Sequence, residues 1–211
     1  MKTLIYCGTN NGEGLHGLLA SKPWDRVYGF EANPHLYSKL KHQHANDPRI
    51  KMYNTILSDQ HNVETEFYIL DANNTEMNYS SSVCKLEDFN PKYKKISGNE
   101  IELREIVRLK TTNLCTFLQE EGIEEIECLL TDLEGSDLTV LKTVKPFIDK
   151  KQIKNIQCEV EPDHMPVKYK GLDNKLRGFK EILDENYNLI WSDNVPIHYF
   201  QVDYKWTLKD V

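Results

Sequence analysis

Short apolar runs recur along this chain, each followed by a longer stretch with apolar residues at helical spacing, and no other feature narrows its fold so far. "TLIYC" at 3–7 and "RVYGFE" at 26–31 have the composition of buried strands. Residues 34–45 put Leu36, Tyr37 and Leu40 on one helical face, with Asn33 and Pro34 as start signals. Further strands are expected over 50–57 ("IKMYNTIL"), 126–132 ("IECLLTD") and 153–160 ("IKNIQCEV"). Between the last two, Leu138, Leu141, Val144, Phe147 and Ile148 form the stripe of one helix. Another helix is expected over 172–186, and "NLIW" (188–191) and "HYFQVDY" (198–204) supply two closing strands. Strands alternating with helices predict an α/β domain whose parallel sheet is covered on both faces.

Residues 60–112 interrupt this rhythm. "TEFYIL" (65–70) and "IVRLKT" (106–111) read as an extra strand pair around a polar, Asn- and Ser-rich stretch. With no internal repeat and no shift of composition, residues 1–211 are expected to form one domain with this segment as a lid-like insert.

The formal net charge of −7 argues against a nucleic-acid binder, which needs an electropositive footprint. Lys92, Lys94 and Lys95 form the one local basic patch, read as a solvated loop. No apolar run approaches the roughly 18 residues of a membrane span. The stretch Leu4–Cys7 is too short for a signal peptide, so a cytoplasmic location is expected. The 5 cysteines, an odd number without metal-ligand spacing, fit reduced thiols. Cys7, Cys128 and Cys158 lie in strand-like runs and read as small buried hydrophobes.

The first turn, "YCGTNNGEGLHG" (6–17), contains the spacing G-x-G-x-x-G from Gly12 onward. A dinucleotide turn needs its first glycine at the strand end, where the helix N-terminus receives a pyrophosphate. Strand one ends near Cys7, so Gly12 comes too late and Gly8 is the first glycine in place. This weakens an NAD-dependent dehydrogenase reading. Gly8 and Gly12 are expected to let the backbone approach a nucleoside, and Gly14 and Gly17 to let a helix lie close to the sheet. Glu31, ending the second strand, can accept both hydroxyls of a ribose. "LLTDLEGSDLTVLKTV" (129–144) ends an apolar strand at Asp132, and Glu134 and Gly135 are expected to open the next helix. If this strand and the first flank the point where strand order reverses, Asp132 lies beside the glycine turn.

With these motifs the chain resembles the FkbM-type family of S-adenosylmethionine-dependent methyltransferases. "GTNNG" (8–12) is similar to that family's G-x-N-x-G turn and "FEANP" (30–34) to its F-E-P-N-P-like strand end. "LSD" (57–59), "LLTDLEGSDLTVLK" (129–142) and "QCEVE" (157–161) follow in the same order as their counterparts. The resemblance implies a Rossmann-like class I methyltransferase fold, with a seven-stranded, mostly parallel sheet whose last strand is antiparallel. It implies S-adenosylmethionine as cofactor, held by Tyr6, Gly8, Thr9, Asn10, Gly12, Glu31, Ala32, Ser58, Asp59 and Asp132. It also implies methyl transfer to a hydroxyl of a small molecule such as a sugar. Tyr6 stands where the family usually has an acid that holds the methionine ammonium. A phenol there accepts a hydrogen bond but stays neutral near pH 7.

Methyl transfer from a sulfonium is an in-line displacement, and a carboxylate beside it can remove the acceptor's proton. Asp132 is the candidate base, or else binds only the cofactor's amino group. A further option is a divalent cation such as magnesium on Asp132 with Glu159 or Glu161, lowering the acceptor's pKa. Glu134 has either a catalytic role or a favourable place at a helix N-terminus. His164, after the fifth strand, is a candidate base at the mouth of the site. Ser80, Ser81 and Ser82 are candidates for the acceptor pocket, and Trp191, Tyr199, Phe200 and Trp206 read as core and strand cover. The competing reading is a catalytically inactive binding module on the same fold.

Overall fold

The computed structural model describes residues 1–72, 81–91, 101–192 and 201–209. Expectations resting on Ser80, Lys92, Lys94, Lys95, Tyr199 and Phe200 lie outside the described residues. The first half contains β1 (Thr3–Cys7), α1 (Glu13–Ser21), β2 (Arg26–Phe30), α2 (Pro34–Gln43), β3 (Ile50–Tyr53), β4 (Ile56–Leu57) and β5 (Glu64–Ala72). Then come β6 (Ile101–Thr112), α3 (Leu114–Glu120), β7 (Ile126–Thr131), α4 (Asp137–Thr143) and α5 (Lys145–Asp149). The chain closes with β8 (Ile153–Val160), α6 (Leu176–Leu183), β9 (Tyr187–Ser192) and β10 (Val202–Leu208).

A seven-stranded sheet runs in the order β3-β2-β1-β7-β8-β10-β9. Its pairs are parallel except that β10 runs antiparallel to both neighbours, β8 and β9. This is the expected architecture, with the last strand inserted beside the edge strand. Strand order reverses between β1 and β7, where the register pairs Cys7 with Thr131. The Asp132 N–H donates to the Cys7 carbonyl at 2.9 Å, so the bends after these two strands are neighbours.

Alternation along the central strands builds the core. Ile5, Cys7 and Leu129 point to one face with Leu141, Phe179 and Trp206, whereas Leu4, Tyr6 and Leu130 point to the other with Leu15 of α1. Both faces are apolar because helices cover both. All five cysteines are free, and Cys7, Cys128 and Cys158 are buried as expected. Gly14 allows close packing, since a Cβ there would overlap the Tyr6 hydroxyl. Gly17 faces open space, contrary to expectation.

The run 50–57 is not one strand. The Asn54 side chain donates to the Glu31 and Ala32 carbonyls at 2.8 and 3.0 Å and turns the chain off the main sheet after Tyr53. Ile56 and Leu57 then pair with Thr111 and Thr112, in a second sheet ordered β4-β6-β5. The expected extra strand pair is β5 and β6, joined antiparallel. The stripe from Leu138 to Ile148 is split into α4 and α5, because Pro146 has no N–H and its ring crowds the preceding turn. The helix expected over 172–186 is only Leu176–Leu183, since Asn174 is buried with its side chain on the Leu138 N–H at 2.9 Å. The final strand lies further along than expected, at Val202–Leu208. Helix α3 was not anticipated; Asn113 caps it by accepting from the Thr116 N–H at 3.1 Å. Among the described residues, no helix is long and apolar enough to cross a membrane.

Candidate active site

A cleft opens beyond the ends of β1, β2 and β7, where ligands sit in open α/β sheets. It encloses about 660 Å³ of empty space with its open mouth included. Three turns shape it. The first starts at Gly8 (φ 83°), where a Cβ would overlap the Asp132 carbonyl oxygen, so glycine is required by the neighbouring turn. Asn10 is also left-handed (φ 48°), a conformation asparagine tolerates. The second turn, after β2, is organised by Glu31, whose carboxylate accepts the N–H of Asn10 at 2.7 Å and of Asn33 at 2.8 Å. The third, after β7, carries Asp132, Glu134 (φ 52°) and Gly135 (φ 99°). The insert closes one side with Phe67, Ser81 and Val83.

Of the residues expected to hold a cofactor, Gly8, Asn10, Glu31, Ala32 and Asp132 line this cleft. Five do not. Gly12 packs on Leu40 of α2, and Thr9 is buried beneath the turn with its hydroxyl on the Phe30 carbonyl at 3.5 Å. Tyr6 is buried under Gly14 rather than on the cleft wall. Burial first, and then the charge of Asp132, pushes its phenol pKa up, so it is neutral. Ser58 and Asp59 form a surface turn, the Ser58 hydroxyl donating to Asp59 at 3.0 Å; Leu57 reaches the cleft in their place. That displacement follows from the break after Tyr53.

Asp132, Glu134 and Glu159 come together, with oxygens of all three within 4.8 Å of one another. Glu134 does not open a helix: it sits in the turn before α4, which begins at Asp137. Glu161 is not part of the cluster. Its carboxylate is buried on the Lys168 N–H at 2.8 Å and the Lys175 ammonium at 3.2 Å, so the expected set Asp132, Glu159 and Glu161 is not assembled. His164 is exposed and does not line the cleft. Ser81 lines it, its hydroxyl accepting the Leu70 N–H at 3.2 Å, while Ser82 is buried beneath Glu134. Trp206 is core, whereas Trp191 is half exposed.

Burial dominates the electrostatics. It pushes Glu31 up to about 7 against the lowering effect of the Asn33 and Asn10 N–H groups. Asp132 is raised well above the usual carboxylate range by burial and then by Glu134, Asp137 and Asp203. Glu159 is raised likewise, by burial and then by Asp132 and Glu134, with Lys168 opposing. Glu31 and Asp132, both on the cleft wall, therefore lack enough positive charge nearby to ionise freely.

Three residues of the site have roles that sequence reasoning missed. Asp137 is fully buried and accepts the Leu133 N–H at 3.1 Å, fixing the bend that presents Asp132. Its signal was its place at a helix start beside Ser136. Lys168 pairs with Glu134 from a loop where a lysine reads as solvated, so nothing marked it. Asn33 was read only as a helix cap. Its oxygen does accept the His35 N–H at 3.0 Å, but its Nδ2, fully buried on the cleft wall, has no partner among the described residues.

The chain matches the methyltransferase FkbM domain over residues 7–187. Among curated proteins none matches it. Among solved structures, methyltransferase FkbM from Methylobacillus flagellatus KT superposes with a TM-score of 0.57 at 13% identity. The alignment covers 97% of this chain and 43% of that one, so this chain spans less than half of that relative's length. Fibrillarin from Aeropyrum pernix, in complex with S-adenosyl-L-methionine, gives a TM-score of 0.51 at 11% identity over 98% of this chain and 66% of that one. SMU.1697c from Streptococcus mutans, in complex with SAH, gives 0.51 at 9% identity over 99% and 89%. At such low identities these likenesses establish the fold, which is that of class I methyltransferases.

Proposed function

From the premise that this chain belongs to the methyltransferase FkbM domain family, we propose that it moves a methyl group from S-adenosylmethionine to a hydroxyl oxygen of a small neutral molecule, such as a sugar. One observation carries this reading: Glu31, Asp132 and Glu134 line one cleft beside the glycine turn at the strand-order reversal, and burial holds Glu31 and Asp132 above the ordinary carboxylate range. Such a site favours a ligand that brings positive charge. S-adenosylmethionine supplies a sulfonium whose methyl is open to in-line displacement.

The residues present fit that cofactor. Glu31 has a carboxylate on the cleft wall to accept ribose hydroxyls, and the unpartnered Asn33 Nδ2 offers a buried donor to the nucleoside. Phe30, Ile56, Leu57 and Phe67 supply apolar wall for a base and exclude water. Asp132, ionised once a positive charge is bound beside it, accepts the acceptor's hydroxyl proton; its raised pKa then makes it a stronger base than an exposed aspartate. The chain's formal net charge of −7 disfavours nucleic-acid acceptors. The residues do not fit a divalent cation, since Lys168 already engages Glu134, and no step is drawn through one. Five free thiols suit the reducing cytoplasm.

The test is transfer of isotope-labelled methyl from S-adenosylmethionine to a panel of sugars and polyols. Label in an alkali-stable ether supports the reading. Label confined to esters or amines, or to a phosphorylated acceptor, overturns it.

A further inference from the structure

The three cluster carboxylates lie close enough to repel one another; all three are half-buried, with Asp132 and Glu134 on the cleft wall and Glu159 beside them. Lys168 answers that repulsion. Its side chain is 3% exposed and its ammonium pairs with Glu134. The same Nζ donates to the Gln201 Oε1 at 2.7 Å, and the Gln201 Nε2 donates to the Glu159 carboxylate at 2.6 Å. One ammonium thereby holds two of the three acids, one directly and one through an amide relay. The lysine backbone is itself anchored: its N–H donates to Glu161 at 2.8 Å, and its carbonyl accepts the Asn90 N–H at 2.8 Å. Asp132 feels the charge too, since Lys168 opposes the rise in its pKa.

We propose that Lys168 is the resident cation of this cluster, a positioning residue that holds Glu134 and Glu159 beside Asp132 and takes the place a divalent ion would otherwise fill. A buried ammonium bonded to the acids leaves any metal ion facing a like charge at contact range, so the ion has no favourable seat. Removing the ammonium leaves three oxygens within 4.8 Å of one another, a spacing that suits a hard cation with oxygen ligands. The proposal deepens the methyltransferase reading, because it makes that reaction independent of metal. Its test needs no methyl transfer.

The experiment compares the wild-type chain, Lys168→Met, Lys168→Arg and Lys168→Met with Glu159→Gln in thermal unfolding, with and without millimolar Mg²⁺ or Mn²⁺. The expected result is no response for the wild type and for Lys168→Arg. Lys168→Met is expected to gain about 5 °C in Tm on adding the ion, and the double variant to lose that gain. A purely structural lysine would not create a metal response that arginine prevents. A metal response in the wild type, or none in a folded Lys168→Met, overturns the proposal. If Lys168→Met does not fold, the spin signal of Mn²⁺ mixed with equimolar wild-type protein decides. An unchanged free-ion signal supports resident Lys168, and a quenched one refutes it. Failure to bind S-adenosylmethionine alongside the expected metal responses would sink the function reading and leave this one standing.

Discussion

Replacing Glu31 with glutamine removes a carboxyl that burial holds near neutrality. Glu31 is 7% exposed, and its pKa rises from the usual 4.5 to about 7 even though the backbone N–H groups of Asn33, Asn10 and Ala32 favour its charged form. Between those values the unfolded chain has released a proton that the folded chain keeps. Stability therefore falls as pH rises, by about 1.4 kcal/mol per pH unit and by roughly 3 kcal/mol over the whole interval. The contribution is fully present below the unfolded value and is lost as pH passes about 7. Asp132, Glu159 and Asp137 are raised as well and act in the same direction, so the wild-type curve alone does not isolate Glu31. The comparison with Glu31→Gln does. The amide also disturbs the hydrogen bonds to Asn10 and Asn33, but that offset is independent of pH and cancels. Urea unfolding of both proteins at about pH 5 and about pH 8 should show the variant gaining on the wild type by roughly 2–3 kcal/mol at the higher pH. Equal pH slopes for the two proteins would refute the reasoning.

Asp132→Asn should unfold no earlier than the wild type, because a neutral amide relieves burial and the repulsion from Glu134, Asp137 and Asp203. Its methyl transfer should fall at least about 100-fold in a labelled-methyl assay, and near-normal turnover would remove Asp132 from the chemistry. Gly8→Ala should lose about 3 kcal/mol or more in urea, from positive φ and overlap with the Asp132 carbonyl. Gly17→Ala, facing open space inside α1, should gain about 1 kcal/mol in the same measurement. Asn33→Ser keeps a capping oxygen and deletes only the unpartnered donor. Its stability should change by less than about 1 kcal/mol while its affinity for S-adenosylhomocysteine, read by calorimetry, falls about tenfold.

Much of this fold was legible because the central strands are apolar on both faces, so "TLIYC" and "IKNIQCEV" could be bounded to the residue. The errors have local causes. Ile50–Leu57 is uniformly strand-prone, and only the Asn54 side chain on the Glu31 and Ala32 carbonyls breaks it. The Leu138–Ile148 stripe is continuous on a helical wheel, so Pro146 was overridden by periodicity. At the site, short motifs located Gly8, Glu31 and Asp132, since each ends a readable strand. They misplaced Ser58 and Asp59 because that turn belongs to the second sheet. Glu159 and Glu161 were paired by their spacing, but Lys175 and the Lys168 N–H hold Glu161 away from the cluster. Lys168 itself reaches Glu134 across 34 residues of chain, a contact that no local pattern encodes.

The account's central claim is that the turns after β1 and β7 enclose a seat for an adenosyl cofactor. Calorimetric titration with S-adenosylhomocysteine and, separately, with NAD tests it most directly. The account predicts saturable heat with S-adenosylhomocysteine at one per chain and none with NAD. Silence with S-adenosylhomocysteine at millimolar concentration, or saturation by NAD instead, would contradict it.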